Sequence, residues 1–220
     1  MSAPVSNAAR NDNAFAALRQ FARKRRAVEV CELCSSELAP EHQHLIEPAA
    51  RKLVCTCDAC AILFSSQTSS KFKRVPRRIR FLPRFQISEA QWDGLMIPIN
   101  LAFLFRNGSS GKVSAFYPGP AGATESLLSL EAWGDIEQEN PALRELEPDV
   151  EALLANRVGA NRGVAAQYYI VPIDECYKLV GLIRLNWHGL SGGTEVWREV
   201  GKFFASLKER SETVVDETNA

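Results

Sequence analysis

The sequence predicts an α+β protein in two parts: a small N-terminal metal domain resembling a treble clef or zinc ribbon, and a larger C-terminal α+β domain. Five of the six cysteines lie between residues 31 and 60. Strand-like runs and amphipathic helices follow from about residue 88. Charge divides the chain in the same way, since residues 1–84 carry 15 Lys/Arg and 7 Asp/Glu (+8) and residues 85–220 carry 11 and 19 (−8). We therefore expect two units that attract each other or bind different partners.

The first part begins with a small polar stretch, residues 1–13, which predicts a disordered tail. Apolar residues then recur at helical spacing from Ala14 to about Lys24, and Asn13 suits the N-cap of that helix. The basic run at residues 23–26 lies in the last turn of this helix, where cations interact favourably with the helix dipole. We favour this interpretation over a nucleic-acid-binding patch.

Two Cys-x-x-Cys pairs organise the metal domain, residues 14–64. Each pair can bend a knuckle that turns both thiolates inward, and two knuckles make a closed tetrahedral cage. The predicted ligands are Cys31, Cys34, Cys57 and Cys60. Zinc is the expected ion, because cages with this spacing are mostly structural zinc sites, while iron in a rubredoxin-like cage uses the same ligands. Cys55 is a fifth thiol, a reserve ligand or redox partner.

The residues between the two pairs predict a small hairpin. Short apolar pieces at residues 45–46 and 53–54 flank a turn at Glu47 and Pro48. A helix should then begin near Asp58 and carry Cys60 in its first turn, where the helix N-terminus stabilises a thiolate. A knuckle, a hairpin and a helix-borne pair make the treble-clef plan.

His42 and His44 on this hairpin resemble the HNH nucleases, in which a histidine on a hairpin activates water and a metal ion holds the phosphate. Between His44 and Cys57, however, the sequence has no Asn and no further His to complete such a site. We therefore predict no nuclease activity, and because a closed cage leaves no coordination position for a substrate, we predict a non-catalytic protein. Both histidines are expected to hydrogen bond to the cage thiolates or to lie exposed, with His44 as a second reserve ligand.

Residues 65–87 are predicted to form a linker, polar at first and then strongly basic. Its basic segment, residues 71–84, has seven Lys/Arg. One interpretation is nucleic-acid binding, with Phe72 or Phe81 stacking on bases. The other, favoured by the two prolines, is an extended connector lying across an acidic surface.

The C-terminal domain, residues 88–210, begins with a predicted β-hairpin whose strands are residues 99–105 and 112–117. The stretch at 117–126 lacks the Lys-Ser/Thr ending of a phosphate-binding P-loop, so it predicts a tight Pro/Gly turn at the surface. A further strand is predicted at residues 168–173.

About four helices complete this domain. One carries Trp133 and ends before Asn140, and a second starts at Pro148. A third is capped by Asp174 and bears Cys176 on its apolar face, where we expect the thiol to be core packing. The last starts at Thr194, and the polar residues 211–220 predict a disordered tail.

The apolar pattern also limits the class of protein. No run approaches the ~18 to 20 apolar residues of a membrane span, and no secretory signal opens the sequence. We expect a cytoplasmic protein without a membrane span, in which clustered cysteines favour a metal over disulfides.

Several segments together resemble a known group of sequences, namely residues 31–34, 44–45, 55–60, 115–128, 146–154, 171–184 and 189–193. They are similar to an uncharacterised bacterial family whose members are typically encoded beside high-affinity, oxygen-tolerant NiFe hydrogenases. The resemblance covers roughly residues 14–209. It implies an accessory role in assembly, maturation or electron supply, with a hydrogenase subunit or maturation factor as partner, and it brings no catalytic residues. A rubredoxin-like electron carrier and a nucleic-acid-binding zinc ribbon are the alternatives.

Overall fold

The protein is described by a computed structural model that covers residues 28–65, 70–126, 130–189 and 192–214. The predicted N-terminal tail and first helix, with the basic run at residues 23–26, lie outside the described residues.

The cysteine-rich part forms a three-stranded sheet with one helix, which we call the cysteine lobe. Its elements are β1 (Gln43–Glu47), a 3-10 turn (Pro48–Ala50), β2 (Lys52–Thr56), α1 (Asp58–Ser65) and β3 (Lys73–Arg74). Pro48 starts the turn and Arg51, at φ 49°, ends it in the left-handed region. The antiparallel strands lie in the order β2-β1-β3. The predicted hairpin and the helix carrying Cys60 are confirmed.

The second part is built on a seven-stranded sheet in the order β10-β4-β9-β8-β5-β6-β7, antiparallel except for the pair β10 and β4. Its strands are β4 (Arg80–Phe81), β5 (Leu101–Arg106), β6 (Val113–Gly119), β7 (Gly122–Glu125), β8 (Glu151–Asn156), β9 (Gln167–Pro172) and β10 (Glu212–Thr213). Its helices are α2 (Glu89–Gly94), α3 (Leu130–Glu139), α4 (Ile173–Asn186) and α5 (Gly193–Arg210), with 3-10 turns at Pro141–Glu145 and Ala160–Arg162.

This sheet is buried on both faces, with a separate hydrophobic cluster on each. Successive strand residues point to opposite faces, so Leu154 joins the cluster covered by α4 and α5, whereas Leu153 joins the one covered by α2 and α3. Ile46 of β1 belongs to the first cluster. The cysteine lobe is therefore packed onto the main core.

Most predicted elements of the larger part are confirmed: the β5–β6 hairpin, strand β9 and helices α3, α4 and α5. The predicted helix after Pro148 is wrong, because the segment is β8, a central strand between β9 and β5. Its unbroken apolar run is buried on both faces, and such a run does not distinguish helix from strand. Asp174 does not cap α4, because Pro172 holds the N-cap position.

The basic segment is an ordered connector between the two parts of the protein. It contributes β3 to the small sheet and β4 to the large one, and its cations bind acidic residues of both parts. The ion pairs are Lys71–Glu47, Lys73–Asp149, Arg78–Glu151, Arg80–Glu145 and Arg80–Glu151. These ion pairs favour the interpretation of the segment as a connector lying across an acidic surface.

Two further segments, the C-terminal tail and residues 117–126, also differ from prediction. Residues 212–213 of the expected C-terminal tail form β10, which pairs with β4, while residues 215–220 lie outside the described part. The stretch at 117–126 makes a tight turn as predicted, but it continues as β7, paired with β6 and reversed at Gly122 (φ 125°). No helix among the described residues is long and apolar enough to cross a membrane.

Candidate metal centres

Four cysteines meet at one corner of the cysteine lobe, and we call them the four-cysteine centre. The first pair lies on a turn closed by the bond from the Ser35 N–H to the Cys31 carbonyl at 2.8 Å, with Ser35 itself at φ 62°. The second pair flanks the start of α1, where Cys57 precedes the helix and Cys60 lies in its first turn. The members of the centre are Cys31, Cys34, Cys57 and Cys60.

The spacing of the sulfur atoms fits a metal and not a disulfide. All four lie within 4.8 Å of one another, and Cys34 Sγ is 3.7 Å from Cys57 Sγ. A disulfide would require about 2.05 Å, and all six cysteines are free thiols. Tetrahedral zinc with Zn–S bonds of about 2.3 Å holds its sulfurs about 3.8 Å apart. The four-cysteine centre could therefore bind a metal such as zinc.

Backbone amides prepare this centre for negative charge. Burial opposes ionisation of Cys31, but N–H groups of Cys57, Leu33 and Cys34 bring its pKa down to about 6. The backbone of Cys60 similarly lowers the pKa of Cys57. Burial, followed by the neighbouring thiols, raises the pKa of Cys60 to about 12. Four thiols this close cannot all ionise without a cation, and a bound metal displaces the remaining protons.

The apolar cluster around this centre is small, and the lobe has a second small cluster formed by Leu45, Val54 and Ala61. Cys31 and Cys60 are buried with Leu38, and only Leu33, Cys55 and Cys57 pack against them within the described part of the chain. Clusters of this size bury little apolar area, so the lobe also depends on the packing of Ile46 against the main core. A metal ion bound by the four cysteines would therefore help to stabilise the cysteine lobe.

Neither reserve ligand lies in the four-cysteine centre. Cys55 and His44 instead lie opposite each other on β2 and β1, and His42, two residues before His44, is on the same side of the hairpin. One ligand atom from each of these three residues lies within 4.8 Å of the others. We call His42, His44 and Cys55 the His-His-Cys cluster.

Both histidines are bonded to oxygen atoms rather than to cage thiolates, so that expectation is wrong. His44 Nδ1 lies 2.9 Å from Asp174 Oδ2, and His42 Nδ1 lies 3.0 Å from the Ala39 carbonyl. Because Asp174 is in the first turn of α4, the first bond ties the hairpin to the larger part of the protein. The hydrogen bond from His44, together with nearby Lys178, outweighs burial and lowers the pKa of Asp174.

A cavity of about 430 Å³ opens beside the His-His-Cys cluster. The cluster forms one wall, and the start of α4 and the end of α5 form the other. The polar residues of that second wall are Asp174, Glu175, Lys178 and Arg210. Glu175 accepts hydrogen bonds from Arg210 at 3.1 and 3.2 Å and from Lys178 at 3.0 Å, so this wall is an ordered network.

Comparison with known proteins identifies the family. The chain belongs to a family of unknown function, DUF5947, whose model matches residues 30–211. No curated protein and no solved structure matches the chain. The matched range contains both candidate metal clusters and nearly the whole of the large sheet.

Proposed function

We propose that this DUF5947 protein is a non-catalytic, zinc-stabilised accessory protein that assists the assembly, maturation or electron supply of a NiFe hydrogenase. The observation that carries the metal-binding part is the convergence of four cysteine sulfurs, with one pair at 3.7 Å. Four protein ligands complete a tetrahedral zinc site and leave no position for a substrate. Such a centre holds structure and does not perform a reaction.

A binding role is supported by apolar side chains on the surface of α1. Ile62, Leu63 and Phe64 follow Cys60 closely and are 60%, 59% and 39% exposed in the described part of the chain. Exposed apolar patches of this kind often mark protein contacts. Ligation of Cys60 would fix the first turn of α1 and so the orientation of these side chains.

The hydrogenase partner is proposed from the resemblance of the quoted segments to proteins encoded beside NiFe hydrogenases. The basic segment supports nucleic-acid binding less well, because four of its cations are already paired with carboxylates. These cations are Lys71, Lys73, Arg78 and Arg80. Phosphate contacts would have to compete with those ion pairs.

Metal analysis of the purified protein tests the first part of the proposal. We expect zinc at the four-cysteine centre and a colourless protein, and Cys60→Ser should lose that zinc and unfold the cysteine lobe, since structural zinc contributes on the order of 10 kcal/mol. Cys176→Ser is the matched control and should retain zinc. A red protein containing iron would favour the rubredoxin-like alternative, and unchanged metal content in Cys60→Ser would refute the assignment.

Co-purification tests the partner. A tagged chain should recover a hydrogenase subunit or maturation factor from cells that express a NiFe hydrogenase. Ile62→Asp should weaken the recovery, while Leu185→Asp, a substitution of another exposed apolar residue at 83% exposure, should leave it unchanged. Recovery of no hydrogenase component, together with normal hydrogen uptake in a deletion strain, would refute the accessory role.

A further inference from the structure

The His-His-Cys cluster has no role in the proposed function, yet its three side chains are arranged as ligands. Strand geometry brings them together: His42 and His44 are two residues apart and so share a side of the hairpin, and Cys55 is the cross-strand partner of His44. The two imidazole rings are 4.8 Å apart between centroids. The cluster is separate from the four-cysteine centre, whose members are all different residues.

The hydrogen bonds of the two histidines determine which ring nitrogen is free. The Ala39 carbonyl and the Asp174 carboxylate can only accept, so each Nδ1 donates its proton, and in the neutral ring each Nε2 has a lone pair. His42 Nε2 is buried without a hydrogen-bond partner among the described residues, on a side chain that is 8% exposed. A buried polar atom without a partner is costly, so a water molecule or a metal ion bound at this nitrogen would stabilise it.

We propose that Nε2 of His42, Nε2 of His44 and Sγ of Cys55 bind a second divalent transition-metal ion, with a coordination position open to the adjacent cavity. Two imidazoles and a thiolate suit Zn²⁺, Co²⁺, Ni²⁺ or Cu²⁺, and they do not suit Mg²⁺ or Ca²⁺. One ligand atom of each residue lies within 4.8 Å of the others, and zinc holds such ligands about 3.5 Å apart.

Asp174 acts as a positioning residue for this metal. Histidines that bind metals commonly donate the other ring N–H to a carboxylate or a carbonyl oxygen, and His44 and His42 show one case of each. The second carboxylate oxygen of Asp174 is buried and has no hydrogen bond within the described residues. Asp174 Oδ2 also lies 3.8 Å from Lys178 Nζ, and its bond to His44 Nδ1 orients that ring for ligation.

Three protein ligands leave a tetrahedral ion with one free position, as in zinc sites that exchange a ligand. The cavity of about 430 Å³ faces the cluster and has room for water or a small anion there. The four-cysteine centre is closed by four protein ligands, whereas this second site is open. The second metal site is independent of any hydrogenase partner.

Titration of the full-length, zinc-containing protein with Co²⁺ tests the site. We expect one Co²⁺ per chain to bind with a near-ultraviolet thiolate-to-cobalt band, while zinc stays at the four-cysteine centre. His42→Ala and His44→Ala should weaken Co²⁺ binding at least 10-fold, as expected for the loss of a metal ligand, and Cys55→Ser should abolish the band. His188→Ala, at the one remaining histidine of the sequence, is the matched control and should behave as the wild type. Circular dichroism of each variant should show the folded spectrum of the wild type.

Zinc released during the titration is measured in the same samples. If the cobalt band persists in Cys55→Ser, or appears only as zinc is released, the ion occupies the four-cysteine centre and the proposal fails. It also fails if the wild type binds no added Co²⁺. Asp174→Asn should lower Co²⁺ affinity about 10-fold with unchanged stoichiometry. A purely structural role for Asp174 would lower the melting temperature and leave that affinity unchanged.

Discussion

Arg80→Met should destabilise the protein strongly, because it leaves a buried carboxylate without its main partner. The Glu151 side chain is 1% exposed and that of Arg80 is 7% exposed. Arg80 Nη2 donates to Glu151 Oε2 at 3.1 Å and joins β4 of the basic segment to β8 at the centre of the sheet. Truncating one member of a buried ion pair typically costs about 3–5 kcal/mol.

We place this substitution at about 3 kcal/mol, the lower end of that range, because Glu151 retains weaker partners. The Glu147 N–H donates to Glu151 Oε2 at 3.0 Å, and Arg78 Nη2 lies 3.6 Å from Glu151 Oε1. For a chain of this size, about 3 kcal/mol corresponds to a fall in melting temperature of about 6–12 °C.

Thermal unfolding followed by circular dichroism on metal-replete protein measures the effect. Arg78→Met is the matched control, since its side chain is 53% exposed and pairs with the same carboxylate, so it should cost less than about 1 kcal/mol. The double variant Arg80→Met/Glu151→Met should recover most of the loss, because an apolar pair replaces the ion pair. Equal shifts for the two arginine variants, or a double variant as unstable as the sum of the singles, would refute the reasoning.

Three further outcomes are expected. Burial raises the pKa of the Cys176 thiol well above its ordinary value, so mass spectrometry should find it alkylated only after denaturation. The Ser114 hydroxyl and then Arg51 lower the pKa of Glu125. The Glu125 carboxylate therefore contributes to stability above about pH 4, and this contribution is lost as pH falls through the lowered pKa. Glu125→Gln should weaken the dependence of the melting temperature on acid pH. Leu154→Ala, at a residue with 0% exposure, should cost about 3–4 kcal/mol in urea unfolding.

Elements with a single buried face were predictable from the sequence. Helix α5 places Val196, Val200, Phe204 and Leu207 on one side, and that spacing predicts only a helix. Strand β8 is buried on both sides and carries no such period. The pairing of β10 with β4 could not be predicted, because two-residue strands carry no local pattern and their contact is set by the whole sheet.

The two metal clusters also differ in how far they could be predicted from the sequence. Two Cys-x-x-Cys pairs predict a four-sulfur cage through short-range spacing alone. The His-His-Cys cluster depends on the register of β1 and β2, which follows from the exact length of the turn after Glu47. The spacing of His42 and His44, two residues apart, was the one sequence signal that both lie on the same side of the hairpin. Asp174 is 130 residues away from His44, and no sequence pattern indicated their contact.

The hydrogen bond between His44 and Asp174 also bears on the order in which the two metal sites can form during translation. All four cage cysteines lie within residues 31–60, so the four-cysteine centre can take its ion while most of the chain is still unsynthesised. Asp174 follows His44 by 130 residues, a delay on the order of 10 s at bacterial translation rates. The histidine ring is fixed only after that interval. A metal ion present early would thus be favoured at the four-cysteine centre, and the His-His-Cys cluster would reach its full affinity only after Asp174 has been made.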